Sequence, residues 1–171
     1  SWKHLFVMPV SRKNYYLSKF LVINILIILF YLIFTGLLFS GGFILSVARE
    51  GLKFHEYSPH TSEILTLTSK SYLSVLAMAA IHYWLSIRFK NFIVPVGIGL
   101  AGIIAASAFS RGWDYVVYFP YAYPPLTVFK YQELVKIEEW GAFSVHEIYS
   151  VILCAIFLFL GYWNLKKQNI Y

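Results

Sequence analysis

The chain has 171 residues, of which 59% are hydrophobic and only 13% are charged. Soluble domains carry roughly a quarter of charged residues, so this composition excludes an ordinary soluble protein and indicates a membrane protein. The single cysteine, Cys154, lies within an apolar run, which excludes a disulfide framework and a cysteine metal cluster. The chain starts at Ser1 inside a patterned segment without the features of a signal peptide, so we expect a fragment that lacks its natural N-terminus.

The first element is the stretch SWKHLFVMPV, which is too apolar for a soluble tail and too short to cross a bilayer. The residues that share one side of it at helical spacing are Trp2, Leu5, Phe6 and Pro9. This pattern predicts a short amphipathic helix in the membrane interface that ends at the proline. Ser11 then suits the N-cap of a second helix, which runs from Arg12 without interruption into the first membrane span. Such an element could pass on a push from a cytoplasmic partner, and a plain lipid anchor is the alternative.

Four charge-free runs have the length of a membrane span, which needs about 20 apolar residues with a range of about 17–25. They cover residues 20–48, 71–87, 91–110 and 148–165, with outer segments at 49–70 and 111–147. The second run is marginal, but Lys70 and Arg88 at its ends can snorkel to the interface. The sequence therefore predicts an all-α fold: a polytopic membrane helix bundle with four transmembrane helices in a single domain, residues 1–171.

Lysine and arginine collect on one side of these predicted spans. Eight bases and no acid lie in the N-terminal stretch, the turn RFKN and the C-terminal tail, whereas all eight acids lie on the other side beside six bases. Such a bias in short loops sets orientation, which predicts a multi-pass protein of a bacterial inner or plasma membrane with the N-terminal stretch and the C-terminus in the cytoplasm. The net charge of +6 then follows from topology and requires no nucleic acid partner.

Three blocks of the sequence resemble one group of transport proteins. WKHLFVMPVSRKNYYLSKFL resembles the cytoplasmic segment between the second and third membrane helices of permease subunits of type-2 ABC exporters, in the lantibiotic-immunity-like group. HYWLSIRFKNFIVPVGIGLAG resembles the fourth and fifth helices of that group, and YFPYAYPP resembles the outer segment that follows. Together the blocks cover residues 2–20 and 82–125, in the order that the group has.

This resemblance implies a permease subunit that has six membrane helices when intact, two of them preceding Ser1. It also implies a cytoplasmic ABC ATPase as partner, a second permease subunit in a homodimer or heterodimer, and export of an antimicrobial peptide or another amphipathic substrate. The helix at residues 2–9 then corresponds to the coupling helix that seats in the ATPase. The residues expected at this ATPase contact or hinge are Trp2, Leu5, Phe6, Pro9, Ser11 and Arg12. The chain has no G-x-x-x-x-G-K-[ST] motif, so ATP hydrolysis is assigned to the separate subunit, and no cofactor is expected.

The third predicted span contains rows of small residues. Gly97, Ala101 and Ala105 recur at four-residue spacing, with Gly102 and Ala106 on the next row. Small residues let membrane helices approach closely, so we predict helix packing here, either within the subunit or across a dimer.

The outer segment WDYVVYFPYAYPP combines aromatic residues with three prolines. Aromatic residues favour the membrane interface and two consecutive prolines oppose helix, which predicts a short re-entrant or interfacial segment. The functional interpretation is an outer gate of the export path, and an aromatic belt without a gating role is the alternative. The gate would comprise Phe119, Pro120, Tyr123 and Pro124.

Two other functions compete with transport, namely a purely structural membrane subunit and an intramembrane serine hydrolase. Ser40 in FSGG and His82 fall at roughly similar depths when counted from the ends of their spans, which is compatible with a Ser/His dyad. No span contains a carboxylate that could orient the histidine, and no oxyanion donor is identifiable, which favours transport. The remaining histidines of interest, His55, His60 and His146, lack metal-ligand spacing, so no metal site is predicted.

Overall fold

In a computed structural model of the protein, residues 11–48, 60–109, 113–136 and 143–167 are described. The helices are α1 (Arg12–Ala48), α2 (Thr61–Arg88), α3 (Ile93–Phe109), α4 (Tyr123–Lys136) and α5 (Val145–Lys167). Two 3₁₀ turns, Asp114–Tyr118 and Pro120–Ala122, precede α4. These described ranges contain no strand, and the predicted all-α membrane helix bundle is confirmed.

Three of the described helices, α1, α2 and α5, are long and apolar enough to cross a membrane. The fourth apolar helix, α3, has 17 residues, which is at the lower limit of about 17 for a span. Only Tyr16 and Thr35 are buried along the whole of α1, and its other faces carry exposed leucine, isoleucine and phenylalanine. An apolar surface of this extent fits lipid or another membrane helix rather than water.

The centre of the bundle is formed by α2 and α5, which run parallel. The Ser150 hydroxyl of α5 donates to the Ser74 carbonyl at 3.1 Å and accepts the Ala77 N–H at 3.0 Å, both on α2. Further along, Trp84 packs on Phe157 with ring centroids 5.5 Å apart. The serines and the alanine are 0% exposed, which shows that small residues allow the two backbones to approach closely.

Antiparallel to both of these helices runs α1. Thr35 faces Thr68 of α2, with their hydroxyl oxygens 3.3 Å apart, whereas Tyr16 near the start of α1 contacts Tyr83 near the end of α2. The bundle therefore has two ends, which we name by one residue each. At the Ser11 end α1 and α3 begin and α2 and α5 end, and at the Lys70 end α2 and α5 begin.

Two local features differ from the expectations drawn from sequence. Helix α2 begins at Thr61, well before the charge-free run that starts at Ser71. Helix α4 contains Pro124 and Pro125 in its first turn, so the expectation that consecutive prolines oppose helix is wrong here. The first N–H groups of a helix need no intrahelical partner, and a proline there loses no hydrogen bond.

After α3, residues 113–122 turn back along that helix, and we call them the returning segment. Phe119 packs on Phe109 at the end of α3, with ring centroids 5.7 Å apart, and Tyr121 lies over Gly102 in the middle of α3. Because the returning segment runs back along α3, the structure favours a re-entrant segment over an interfacial one, the two forms predicted from the sequence.

From the returning segment, α4 leads back towards the Lys70 end. There the Tyr131 hydroxyl donates to the Glu63 carbonyl at 2.9 Å. Burial raises the pKa of the Tyr131 phenol and the Glu63 carboxylate raises it further, so this group keeps its proton for the hydrogen bond.

Candidate functional site

The described part of the predicted coupling region begins at Ser11. Its Oγ accepts the Asn14 N–H at 3.3 Å, and its carbonyl accepts the Tyr15 N–H at 3.1 Å. The predicted N-cap is therefore confirmed, and α1 continues from Arg12 without a break. Ser11 and Arg12 are both exposed. The other predicted contact residues, Trp2, Leu5, Phe6 and Pro9, lie outside the described residues.

Tyr16, in the second turn of α1, joins three helices at the Ser11 end. Its side chain is 2% exposed, and its hydroxyl donates to the Leu158 carbonyl of α5 at 3.0 Å. The Tyr83 hydroxyl of α2 donates to the Tyr16 carbonyl at 2.7 Å, and the two ring centroids are 4.9 Å apart. A Cβ atom at Gly161 would collide with the Tyr16 hydroxyl, so the close approach of α1 to α5 requires glycine. We call Tyr16, Tyr83, Leu158 and Gly161 the Tyr16 joint.

The rest of α1 is attached to the bundle by few polar contacts. The Tyr72 hydroxyl of α2 donates to Asn24 Oδ1 at 3.1 Å, and Thr35 meets Thr68 as described above. Among the polar contacts described here for α1, those of the Tyr16 joint lie nearest to the helix start, and they reach both α2 and α5. A displacement of the α1 start therefore acts on both helices through this joint.

A second cluster lies where α2, α3 and the returning segment meet. The Tyr121 hydroxyl and His82 Nε2 are 3.2 Å apart, and the two rings are nearly perpendicular at 87°. A Cβ atom at Gly99 would lie 2.6 Å from the His82 ring, and one at Gly102 would lie 2.7 Å from the Tyr121 ring. Glycine at these two positions of α3 thus makes room for both rings, and the pair holds the returning segment inside the bundle.

The predicted packing row of α3 lies on a different face from this cluster. Gly97 and Ala101 are exposed and Ala105 is half-buried, and a Cβ atom at Gly97 would meet nothing within 4 Å. Packing among the described residues uses the second predicted row, Gly102 and Ala106, together with Gly99. The row from Gly97 to Ala105 is open to a helix from a partner or from outside the described ranges, and its packing role stays a prediction.

The four predicted gate residues lie in the returning segment and the start of α4. Tyr123 is 1% exposed and its ring centroid lies 6.2 Å from that of His146. Phe119 packs on Tyr121 with ring centroids 5.7 Å apart. Pro120 begins the second 3₁₀ turn, and Pro124 lies in the first turn of α4. Tyr121, which the sequence did not include among the gate residues, anchors the segment through its contact with His82. The gating role itself stays a prediction.

The Lys70 end contains a buried ion pair that the sequence did not single out. Lys70 Nζ lies 3.1 Å from Glu147 Oε2 and 3.3 Å from Oε1, with side chains 3% and 2% exposed. Glu147 Oε2 also accepts the Ser144 N–H at 2.9 Å, the reciprocal arm of a capping box at the start of α5. The predicted snorkelling of Lys70 is wrong, because this carboxylate satisfies the ammonium inside the bundle. The spacing Ser-x-x-Glu in SVHE could have indicated the capping box from the sequence.

Further hydrogen bonds extend this buried pair to α4. His146 Nε2 lies 3.0 Å from Thr127 Oγ1, and the Thr127 hydroxyl donates to the Tyr123 carbonyl at 3.1 Å. Because a hydroxyl has one proton, His146 supplies the proton of its contact with Thr127. The polar contacts around Lys70, Thr127 and Glu147 therefore join α2, α4 and α5.

The serine hydrolase alternative is not supported. Ser40 is exposed, and its hydroxyl donates to the Leu37 carbonyl of its own helix at 3.1 Å. Phe20 packs on Tyr83, the neighbour of His82, with ring centroids 5.5 Å apart. At a rise of about 1.5 Å per residue, Ser40 lies about 30 Å further along α1 than this contact. Counting depths from the predicted span ends was wrong because α2 begins earlier than its charge-free run.

The described histidines have ordinary hydrogen-bond partners. His60 Nδ1 lies 3.0 Å from Glu63 Oε1, in addition to the contacts of His82 and His146 given above. Within the described ranges, no group of three or more histidine, cysteine and acidic residues could hold a metal ion. His55 lies outside those ranges.

Residues 1–106 match the model of a protein family described as ABC-2 family transporter protein. This range covers more than half of the 171 residues and includes α1, α2 and most of α3. No curated protein and no solved structure matches the chain at a significant level.

Proposed function

We propose a mechanism from the premise that this chain belongs to the ABC-2 transporter family and is a multi-pass membrane permease of an ABC export system. In the proposal, the chain couples ATP hydrolysis by a separate cytoplasmic subunit to export of an amphipathic substrate. The resemblance to lantibiotic-immunity permeases favours an antimicrobial peptide as that substrate. The observation that carries the proposal is the Tyr16 joint, which links the start of α1 to α2 and α5.

The first step of the proposed mechanism takes place at residues 2–12. ATP-driven closure of the ATPase displaces the predicted coupling helix at residues 2–9, and Ser11 and Arg12 pass the displacement to α1. A helix of 37 residues is about 55 Å long, whereas the hydrocarbon core of a bilayer is about 30 Å thick. The helix is therefore longer than the hydrocarbon, and Ser11 and Arg12 at its start are exposed, so a soluble partner can reach them.

The second step takes place within the bundle. The Tyr16 carbonyl accepts from α2 and the Tyr16 hydroxyl donates to α5, so both helices follow the start of α1. The buried pair of Lys70 and Glu147 holds α2 and α5 together at the opposite end. A movement of this kind is a tilt of the central helices about the Lys70 end.

The orientation and the assembly complete the proposal. Basic residues at the start of α1 and at the end of α2 favour a cytoplasmic Ser11 end, namely Arg12, Lys13, Lys19, Arg88 and Lys90. A second permease subunit would complete the export path, and the exposed row from Gly97 to Ala105 is the proposed packing surface. The returning segment, which Tyr121 attaches to His82 of α2, would close the path until the central helices tilt.

Copurification tests the proposed docking of the ATPase. The full-length protein is expressed with the ATPase encoded beside it and extracted in detergent, and the retained ATPase is measured. We expect the double variant Trp2→Ala with Phe6→Ala to insert normally and to lose the ATPase. The matched control is Trp113→Ala with Phe129→Ala, which removes two exposed aromatic side chains elsewhere and keeps the ATPase. Equal retention by both double variants would leave residues 2–12 as a lipid anchor.

A further inference from the structure

His146 is a buried titratable residue that stands between two hydrogen-bond acceptors. Its side chain is 3% exposed at the start of α5, and its Nε2 atom lies 3.0 Å from Thr127 Oγ1 of α4. The same nitrogen lies 4.0 Å from Glu147 Oε1, on the next residue of its own helix. One acceptor is therefore a neutral hydroxyl on α4, and the other is a carboxylate on α5.

In its neutral form, the His146 ring uses the hydroxyl. The Thr127 hydroxyl gives its single proton to the Tyr123 carbonyl at 3.1 Å, so the proton of the neutral ring is on Nε2. Nδ1 is then the atom that gains a proton in acid. Acidification leaves the Nε2 donor in place and adds a positive charge to the ring.

The Glu147 carboxylate can accept a further donor. Its Oε2 atom accepts Lys70 Nζ at 3.1 Å and the Ser144 N–H at 2.9 Å. Among the described residues Oε1 accepts a single hydrogen bond, from Lys70 Nζ at 3.3 Å, although a carboxylate oxygen has two lone pairs. Oε1 is also the oxygen that faces His146.

Charged and titratable groups on α2, α4 and α5 face the His146 ring. Glu147 of α5 attracts a positive charge on it, whereas Lys70 of α2 and Lys130 of α4 repel one. The Tyr123 ring of α4 lies beside it, with the two ring centroids 6.2 Å apart. A hydrogen bond from a charged donor to a carboxylate is roughly twice as strong as one between neutral groups. The charged ring therefore favours Glu147 over the Thr127 hydroxyl.

We propose that His146 is a pH-sensitive switch in the attachment of α4 to α5. The neutral ring binds Thr127 and holds α4 against α5. In acid the charged ring turns to Glu147 Oε1 and releases Thr127, which loosens α4, while the pair of Lys70 and Glu147 keeps α2 and α5 together. The inference requires neither the ATPase nor export, and so it stands apart from the proposed function.

Hydrogen–deuterium exchange with mass spectrometry tests the switch on the full-length protein in detergent, at about pH 8 and about pH 5, on either side of the range in which histidine titrates. His146→Gln is the reference, because its amide can donate to Thr127 but does not titrate. Dividing the exchange rate of α4 by that of His146→Gln at the same pH removes the intrinsic pH dependence of exchange. We expect this ratio to rise about fivefold in acid, as for the loss of one ordinary hydrogen bond.

Two further variants keep the test decisive if His146→Gln fails to fold. Thr127→Val removes the hydroxyl, so we expect its α4 to exchange fast at both pH values, whereas the control Thr66→Val on α2 should behave like the unaltered protein. Lys70→Met combined with Glu147→Gln removes the carboxylate that draws the charged ring. The pH response should vanish in this double variant, which then serves as the reference at each pH.

Three results would overturn the inference. One is an exchange ratio of α4 that is the same at both pH values in the unaltered protein. Another is a pH response that survives in the double variant without the carboxylate. The third is a Thr127→Val protein whose α4 exchanges as slowly at about pH 8 as that of the unaltered protein, since the hydroxyl would then not hold α4.

Discussion

The two ends of the bundle are held together by different chemistry. The Lys70 end has a buried ion pair and a capping box, and its contacts join α2, α4 and α5. The Ser11 end has two tyrosine rings packed at a tilt of 39° and hydrogen bonds to main-chain carbonyls, and its contacts join α1 to α2 and α5. Breaking a buried ion pair costs several times more than losing one hydrogen bond. We therefore expect the Lys70 end to stay fixed when the bundle moves and the Ser11 end to be the attachment that moves.

The largest effect is expected from removing one member of the ion pair. Glu147→Ala leaves the Lys70 ammonium buried without its carboxylate, which should destabilise the protein by about 3–5 kcal/mol. Thermal unfolding in detergent measures this change. The control is Lys70→Met with Glu147→Gln, which removes both charges and keeps an acceptor for the Ser144 N–H, so its stability should stay close to that of the unaltered protein. A Glu147→Ala protein that unfolds at the original temperature would show that the ion pair does not fix the Lys70 end of the bundle.

A smaller effect is expected at the Tyr16 joint. Gly161→Ala drives the new methyl group into the Tyr16 hydroxyl, which should cost about 2 kcal/mol through lost packing and the lost bond to Leu158. Gly41→Ala is the matched control, because a Cβ atom there meets nothing within 4 Å. Thermal unfolding of both variants distinguishes the collision with Tyr16 from the general effect of replacing a helical glycine by alanine. If the two variants are equally stable, α1 is not seated against α5 as described.

The next largest loss of stability is expected from a substitution that disturbs the returning segment. Gly102→Ala pushes on the Tyr121 ring, and we expect a loss of about 1–2 kcal/mol because the short 3₁₀ turn that carries Tyr121 can shift to relieve the contact. Gly97→Ala, on the exposed face of the same helix, should leave stability unchanged or slightly raised. Limited proteolysis after residue 110 reports whether the segment has left the bundle. Identical digestion of the two proteins would argue against the anchored position of Tyr121.

The smallest effect is expected from Tyr83→Phe. The ring stays against Tyr16, and only the hydrogen bond to its carbonyl is lost, which should cost about 1 kcal/mol or less. Tyr115→Phe, at an exposed position, is the control for removing a phenol oxygen. A loss as large as that of Glu147→Ala would show that the two ends are held equally tightly.

Features set by neighbouring residues in the sequence could be predicted. The start of α1 followed from Ser11 as an N-cap and from a helix that continues from Arg12 into the first span, and the structure confirms the cap. The buried ion pair was missed although its second half, the capping box in SVHE, is a local pattern. Its first half joins two residues far apart in the chain, and single-sequence patterns do not indicate which helices become neighbours.

The relative height of two helices is another feature that the sequence leaves open. Ser40 and His82 were placed at similar depths by counting along separate spans, but the contact of Phe20 with Tyr83 sets a different register. The small residues of α3 show the same limit. Spacing indicated two possible rows, and the structure shows that the second one, Gly102 with Ala106, faces the described bundle. Gly99, which the spacing did not single out, faces it as well.

The transmission from α1 to the central helices can be tested by a single distance. Spin labels at Ser11→Cys and Lys166→Cys, in a Cys154→Ser background, report the separation of the α1 start from the α5 end. Double electron–electron resonance is recorded on the complex with the ATPase, without nucleotide and with ATP plus vanadate, while a label on the ATPase reports its closure. We expect the separation to stay constant as the ATPase closes, because the Tyr16 joint moves both helix ends together. A nucleotide-dependent change of that separation in the unaltered joint would contradict the transmission through Tyr16.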